Sequence, residues 1–223
     1  MSKSAKVVLG RGLINEMIVA GGEDIGALFS ATTQGALALA ETDLDMGKPM
    51  ATSLYDLSVP TFLQTVRAVG GFLDRAAKHC AETGADPENF VQARLFDDMA
   101  PFHFQIEAAS HHCVWGLEAV KTGVFAPPAL VGPVPFADLR AMIARAEMAL
   151  EAFTPDEVNG WAGKDLDLQI GPRLLAFTSE TFILSFSLPN FHFHAVTAYD
   201  ILRTRGVPLG KRDFEGQLRT RPA

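Results

Sequence analysis

The chain has 223 residues and a formal net charge of −7; 48% of its residues are hydrophobic and 20% are charged. This composition is typical of a globular protein whose core is large enough to fold without disulfide bridges. It disfavours nucleic acid as a partner, because lysine and arginine cluster nowhere before the tail that holds Lys211, Arg212, Arg219 and Arg221.

Membrane and export signals are not found in the sequence either. No stretch approaches the roughly 20 consecutive apolar residues of a membrane-spanning helix, and no secretory leader pattern is present. Cys80 and Cys113 fall on apolar positions of predicted helices, which indicates buried, reduced thiols. These features predict a cytoplasmic protein without a membrane partner.

The chain divides into three predicted segments. Residues 1–49 are rich in Gly, Ala and Thr with only weak apolar periodicity, so we expect a poorly ordered N-terminal extension. Residues 50–215 carry strong helical patterns and form the predicted domain. Residues 216–223 are expected to be a solvated tail.

Two long helices are predicted in the first half of this domain. The first begins at Ser58, which can cap a first turn that contains Pro60, and it ends at Gly84. The second runs from about Pro101 to Gly123. Steps of three and four residues give each helix one apolar face. The first face is Val59, Phe62, Val66, Val69, Leu73, Ala76 and Cys80, and the second is Phe102, Ile106, Ala109, Cys113, Gly116 and Val120.

The second half of the domain adds two helices and a hairpin. A third helix buries Leu139, Ile143, Ala146 and Leu150, and strict alternation over residues 165–170 predicts a strand that pairs with residues 173–178. The last helix runs from about Ser179 to Arg205. It is apolar on nearly all sides, so we expect it at the bundle centre, with a kink at Pro189. The sequence therefore predicts a mainly α four-helix bundle with a small β-hairpin before the last helix.

Three motifs in residues 50–215 carry a resemblance to one family. They are residues 54–60 (LYDLSVP), 188–194 (LPNFHFH) and 206–211 (GVPLGK). Together they resemble the bacterial domain-of-unknown-function family nineteen-ninety-three (DUF1993), whose fold is similar to the DinB/YfiT-like four-helix bundles. The resemblance implies that fold. Proteins of this family usually begin at the position of Met50. The resemblance therefore implies that residues 1–49 are an upstream extension or result from a misplaced start codon.

The resemblance further implies a comparison with metal sites. DinB-like metalloproteins usually bind a metal ion with one histidine on the second helix and two histidines, four residues apart, on the fourth. Here the residues four positions before and after His194 are Asn190 and Ala198, so the triad is incomplete. The resemblance implies that Gln105 takes the position of the first histidine.

A polar stripe on the last helix is the most informative feature of the sequence. A helix turns by about 100° per residue, so Ser187, Asn190 and His194 share one face. Burying such groups costs about 1–3 kcal/mol each unless they find partners. Gln105 and His112 lie seven residues apart on the second helix and could supply them. The sequence therefore predicts a polar pocket between the second and fourth helices.

Other polar and aromatic residues are further candidates for this pocket. His103 lies on the opposite flank of the second helix, and His192 is about 160° from His194 on the fourth. Tyr199 shares a side with His192, and both are expected to face another helix or a second subunit. Trp115 projects off the core side, which indicates a subunit interface or a covering loop.

Three functions compete on this basis. In the first, His194 oriented by Asn190 is a general base, or His194, His112 and Gln105 bind Zn or Ni, in a degenerate metal-dependent hydrolase or transferase. In the second, the pocket binds a small molecule without chemistry and without a cofactor. In the third, the polar groups form a structural network in a homodimeric scaffold. The sequence favours the network over a metal site and leaves open whether the chain is an enzyme.

Overall fold

The computed structural model describes residues 52–221, so the predicted extension at residues 1–49 lies outside the described residues. Four long helices form a bundle, and a two-stranded hairpin precedes the fourth, which confirms the predicted mainly α fold. The elements are α1 (Leu54–Thr83), α2 (Glu88–Val91), α3 (Phe102–Thr122), α4 (Phe136–Glu151), α5 (Pro155–Asn159), β1 (Asp165–Ile170), β2 (Arg173–Thr178), α6 (Ser179–Phe182), a π-helical turn (Ile183–Ser187), α7 (Leu188–Thr204) and α8 (Lys211–Glu215).

The long helices pack in a closed ring. Helix α3 lies between α4 and α7, and α1 contacts α4 and α7 on the other side. The apolar faces predicted for α1, α3 and α4 are all buried in the shared core. Because α3 and α7 are direct neighbours, polar side chains on their facing surfaces can meet.

Helix α1 begins one turn earlier than predicted. Its N-cap is Ser53, whose hydroxyl accepts from the Asp56 backbone N–H while the Asp56 carboxylate accepts from the Ser53 N–H. Ser58 is instead buried inside the helix and donates to the Leu54 carbonyl, and Pro60 also lies inside it. The prediction of a Ser58 cap was therefore wrong, because a reciprocal cap at Ser53 satisfies two otherwise unpaired N–H groups.

The irregularity expected at Pro189 takes the form of a π-helical turn. The Leu188 N–H reaches the carbonyl of Ile183, five residues back, and Pro189 follows at once. Proline has no backbone donor and its ring crowds the preceding turn, so a widened turn accommodates it without ending the helix. The fourth long helix thus continues through α7.

The prediction that the last helix lies at the bundle centre was wrong in part. Phe191, Ala195, Ala198 and Ile201 are fully buried, but Leu184, Phe193 and Val196 are exposed at 49%, 54% and 38%. Phe193 and Val196, three residues apart, share a helix face. Within residues 52–221 the helix therefore has one buried face and one apolar face open to solvent.

The hairpin and the tail pack against the bundle in different ways. In β1, Leu166 and Leu168 are buried as the alternation predicted, whereas Ile170 at the turn is exposed. In the tail, Arg219 donates to Gln64 and Thr61 of α1, so at least this part of the predicted solvated tail contacts the domain.

The two cysteines agree with their predicted role. Cys80 and Cys113 are free and buried, and burial raises the pKa of the Cys113 thiol to about 12. Such a thiol stays protonated and unreactive at neutral pH. Among the described helices, none is both long enough and apolar enough to span a bilayer.

Candidate functional site

The packing of α3 against α7 brings Gln105, His112 and His194 together. The Nδ1 atom of His194 lies 2.8 Å from the Oε1 atom of Gln105, and the His112 and His194 rings stack nearly parallel with their centroids 5.7 Å apart. These are the three residues that the sequence placed at the centre of the pocket. We refer to them as the histidine pair site.

The orientation of Gln105 determines the tautomer of His194. The Gln105 amide nitrogen donates to the Ala100 carbonyl at 2.9 Å, so the amide oxygen is the atom that faces His194. An oxygen only accepts, and the imidazole Nδ1 must therefore carry the proton. The Nε2 atom of His194 is left with a free lone pair.

The second imidazole, His112, has the opposite tautomer. The Nδ1 atom of His112 is buried and has no hydrogen-bond partner within the described residues. An unpaired buried N–H is rarer than an unpaired acceptor, so the proton belongs on Nε2, which is not sealed from solvent. His112 thus presents a donor where His194 presents an acceptor.

Aromatic rings enclose the pair. His112 stacks on Phe125 at 5.6 Å and meets the edge of Phe186 at 5.5 Å. His194 packs edge-on against Phe104 at 5.7 Å and Phe193 at 5.4 Å. The histidine pair site is therefore a polar spot on an apolar, aromatic wall.

Burial keeps both imidazoles neutral. It lowers the pKa of His194 from 6.5 to about 4, and it lowers the pKa of His112 to about 4 as well, with further lowering by the neighbouring His194 and His111. A base with a pKa near 4 accepts a proton weakly at pH 7. The site is thus better suited to hydrogen bonding than to general-base chemistry.

Two residues of the predicted stripe do not act on His194. Asn190, predicted to orient it, donates to the Phe186 carbonyl at 2.7 Å, one turn back on its own helix. Ser187 is fully buried and donates to the His112 carbonyl at 2.5 Å. Asn190 therefore does not orient His194 as predicted, and Gln105 is the residue that does.

The remaining predicted pocket residues lie elsewhere. His103 is buried, which lowers its pKa, and its position nine residues before His112 puts it on the opposite side of α3. Tyr199 packs against Phe72 of α1 and Phe214 of α8, and the ring of His192 contacts Phe191. None of these three side chains has a described contact with the histidine pair.

The sequence did not identify the aromatic wall or the group that holds Gln105. Phe104 precedes Gln105 on α3 and Phe186 lies one turn before Asn190, so helical position could have indicated both. Phe125 follows α3 in a loop without periodicity, and Ala100 acts through its backbone carbonyl. No pattern of side chains in the sequence predicts the position of Phe125 or the role of the Ala100 carbonyl.

The donor set does not fit a resident Zn or Ni ion. Within residues 52–221 no group of three or more His, Cys, Asp and Glu side chains could hold a metal. The Gln105 oxygen is already bonded to His194, and His112 lacks the hydrogen-bond acceptor that normally supports a metal-binding imidazole through its second nitrogen.

Comparisons with known proteins agree on one group. The family described as a domain of unknown function (DUF1993) matches residues 54–215. Among solved structures, the chain is similar to a DinB family member protein from Shewanella denitrificans, with a TM-score of 0.65 and 25% sequence identity over 76% of this chain and 96% of that one. No curated protein matches the sequence significantly.

Proposed function

The chain belongs to the DUF1993 family and has a DinB-like fold, and on that premise we propose that it binds a small neutral molecule at the histidine pair site. The proposal assigns no catalytic step to the site. His112 and His194 contact the ligand, and Gln105 positions His194.

The hydrogen bond from His194 Nδ1 to Gln105 Oε1 carries this proposal. It holds the imidazole in one tautomer and one orientation, so that Nε2 is a preorganised acceptor. A group that served only to tie α3 to α7 would not need a second imidazole beside it, His112, whose side-chain nitrogens have no hydrogen-bond partner among the described residues.

The chemistry of the site indicates the class of ligand. Both imidazoles are neutral at pH 7, so they give no net attraction for an anion. One offers a donor and the other an acceptor, and the rings packed against them, Phe104 and Phe125, make their surroundings apolar. A planar, uncharged compound with an adjacent donor and acceptor, such as an aromatic amide, matches these groups.

Titration of ¹⁵N-labelled protein with benzamide tests the proposal. We expect saturable changes in the side-chain ¹⁵N shifts of His112 and His194, with the ¹⁵N spectrum of the free protein showing His194 protonated at Nδ1. Benzoate, which has the same ring and a negative charge, should bind more weakly because the site has no cation.

Gln105→Met separates ligand binding from folding. Methionine fills a similar volume but cannot hold His194 Nδ1, so the affinity for benzamide should fall while the helical circular dichroism is retained. Unchanged affinity in this variant, or no response of either imidazole in the wild type, contradicts the proposal.

A degenerate metal-dependent hydrolase or transferase is the less favoured candidate, because the described donor set as a whole does not fit a resident Zn or Ni ion. One observation favours it: His194 has its Nδ1 proton bonded to an oxygen, as metal-binding histidines usually do. Elemental analysis of protein purified without a His-tag, followed by titration with Zn²⁺ or Ni²⁺, tests it. Stoichiometric metal that is lost in His194→Ala supports this candidate. The candidate is contradicted if the purified protein contains no metal and does not bind added Zn²⁺ or Ni²⁺.

The homodimer and the cytoplasmic location stay predictions. The exposed Leu184, Phe193 and Val196 supply apolar surface that a second copy of the chain could cover. Sedimentation of wild type and Phe193→Ser would test the dimer.

A further inference from the structure

A cavity lies on the side of α3 that faces away from the histidine pair site. It has a volume of about 340 Å³ and is bounded by α3, α4 and the loop at residues 128–131. Its lining includes Glu107, Ser110, His111, Trp115, Met142 and Arg145. We refer to it as the Glu107 cavity.

Glu107 is the unusual residue of this cavity. It is only 2% exposed, and one carboxylate oxygen accepts from the Val131 backbone N–H at 2.6 Å. Within residues 52–221 no Lys, Arg or His forms an ion pair with it. A carboxylate has about four acceptor positions, and a buried one is costly unless it is paired.

The rest of the lining surrounds this carboxylate with mostly apolar side chains. Trp115, Val114, Met142 and the methyl groups of Ala146 and Ala149 form apolar walls. Arg145 is exposed, so its charge is screened by water, whereas the charge of Glu107 is buried. The cavity therefore combines a buried carboxylate with mainly apolar walls, to which Ser110, His111 and the exposed Arg145 also contribute.

We propose that the Glu107 cavity binds a small organic amine, with the ammonium group on the Glu107 carboxylate and an apolar body against Trp115 and Met142. The volume is at the small end of ligand pockets. The site shares no residue with the histidine pair site, so the proposal is independent of the proposed function.

The alternative is that Glu107 only fastens the loop at residues 128–131. Glu107→Gln separates the two roles, because the amide oxygen can still accept from the Val131 N–H while the charge is lost. Glu118→Gln is the matched control, since Glu118 lies on the same helix, pairs with Lys121 and does not line the cavity.

Fluorine NMR of the full chain labelled with 5-fluorotryptophan provides the measurement. The chain has two tryptophans, Trp115 in the cavity wall and Trp161 packed on Phe153 at 5.8 Å, and Trp115→Phe assigns the signals. The unperturbed Trp161 signal shows that each variant is folded. The probes are n-hexylamine and, as its uncharged counterpart, hexan-1-ol.

We expect n-hexylamine to shift the Trp115 signal saturably while the Trp161 signal stays in place. Glu107→Gln should weaken this binding by about tenfold or more, because a hydrogen bond to a charged group is lost, and Glu118→Gln should not change it. The proposal is overturned if Trp115 does not respond, if Trp161 shifts in parallel, if hexan-1-ol binds as well as the amine, or if Glu107→Gln binds like the wild type.

Discussion

Gly116 and Ser187 determine how closely α3 and the last helix approach. A β-carbon at position 116 would lie 3.2 Å from the Ser187 β-carbon and closer still to its hydroxyl oxygen. The same hydroxyl donates to the His112 carbonyl. The contact that places His112 next to α7 therefore depends on a residue without a side chain.

Gly116→Ala is expected to destabilise the protein by about 1–3 kcal/mol, because the added methyl group overpacks a fully buried contact. Urea denaturation followed by circular dichroism measures the change. If α3 and the last helix were loosely packed, the variant would be neutral or more stable, since alanine has the higher helix propensity.

The double variant Gly116→Ala/Ser187→Ala is the control for this interpretation. Removing the hydroxyl eliminates the closest clash, so the double variant should be destabilised by less than the sum of the two single variants. Additive effects would mean that the two residues do not interact.

At the residue scale, pattern alone grouped Gln105, His112 and His194, which do lie together, but it did not predict their hydrogen bonds. Helical geometry brings positions seven residues apart to one face, which is why these residues were predicted together. It does not tell which neighbour a side chain bonds. Asn190 could reach either His194 or its own backbone, and it donates to the carbonyl of Phe186.

At the element scale, the start of α1 shows what decides a helix boundary. Ser53 and Ser58 are equally good capping residues by type, and both precede apolar positions. Asp56, three residues after Ser53, completes a reciprocal cap, and this pattern is readable from the sequence. The sequence predicted Ser58 as the start because Pro60 follows it and proline is common in the first turn of a helix.

Ser53→Ala should lower the free energy of unfolding by about 1 kcal/mol, because the Asp56 N–H loses its acceptor. Chemical denaturation compares it with Thr52→Ala, a control whose exposed residue lies just outside the cap. Equal stability of the two variants would show that the cap contributes nothing measurable.

The last helix was the element least accessible to sequence analysis. An amphipathic helix reveals its buried side by contrast between polar and apolar faces, and this helix has little contrast. Its π-helical turn also shifts the register of α7 relative to α6. Tertiary packing, rather than pattern, selects which of its apolar residues are exposed.

At the scale of the whole molecule, the histidines link folding to pH. Burial lowers the pKa values of His112 and His194 to about 4, and it lowers those of His103, His111 and His192 in the same direction. In the unfolded chain these groups titrate near 6.5. Between these values the unfolded chain binds more protons than the folded one, so acidification favours unfolding.

The free energy of unfolding should therefore be fully developed above the unfolded pKa of 6.5 and should fall as the pH decreases towards 4. For His112 and His194 together we expect a loss of about 2 kcal/mol between pH 7 and pH 5, a value halved to allow for partial exposure. Urea denaturation at a series of pH values measures it, with His112→Phe/His194→Phe as the comparison because phenylalanine keeps the aromatic packing and does not titrate. The double variant should lose less stability over the same range. If its free energy of unfolding changed with pH as steeply as that of the wild type, the two imidazoles would bind protons as readily in the folded protein as in the unfolded chain.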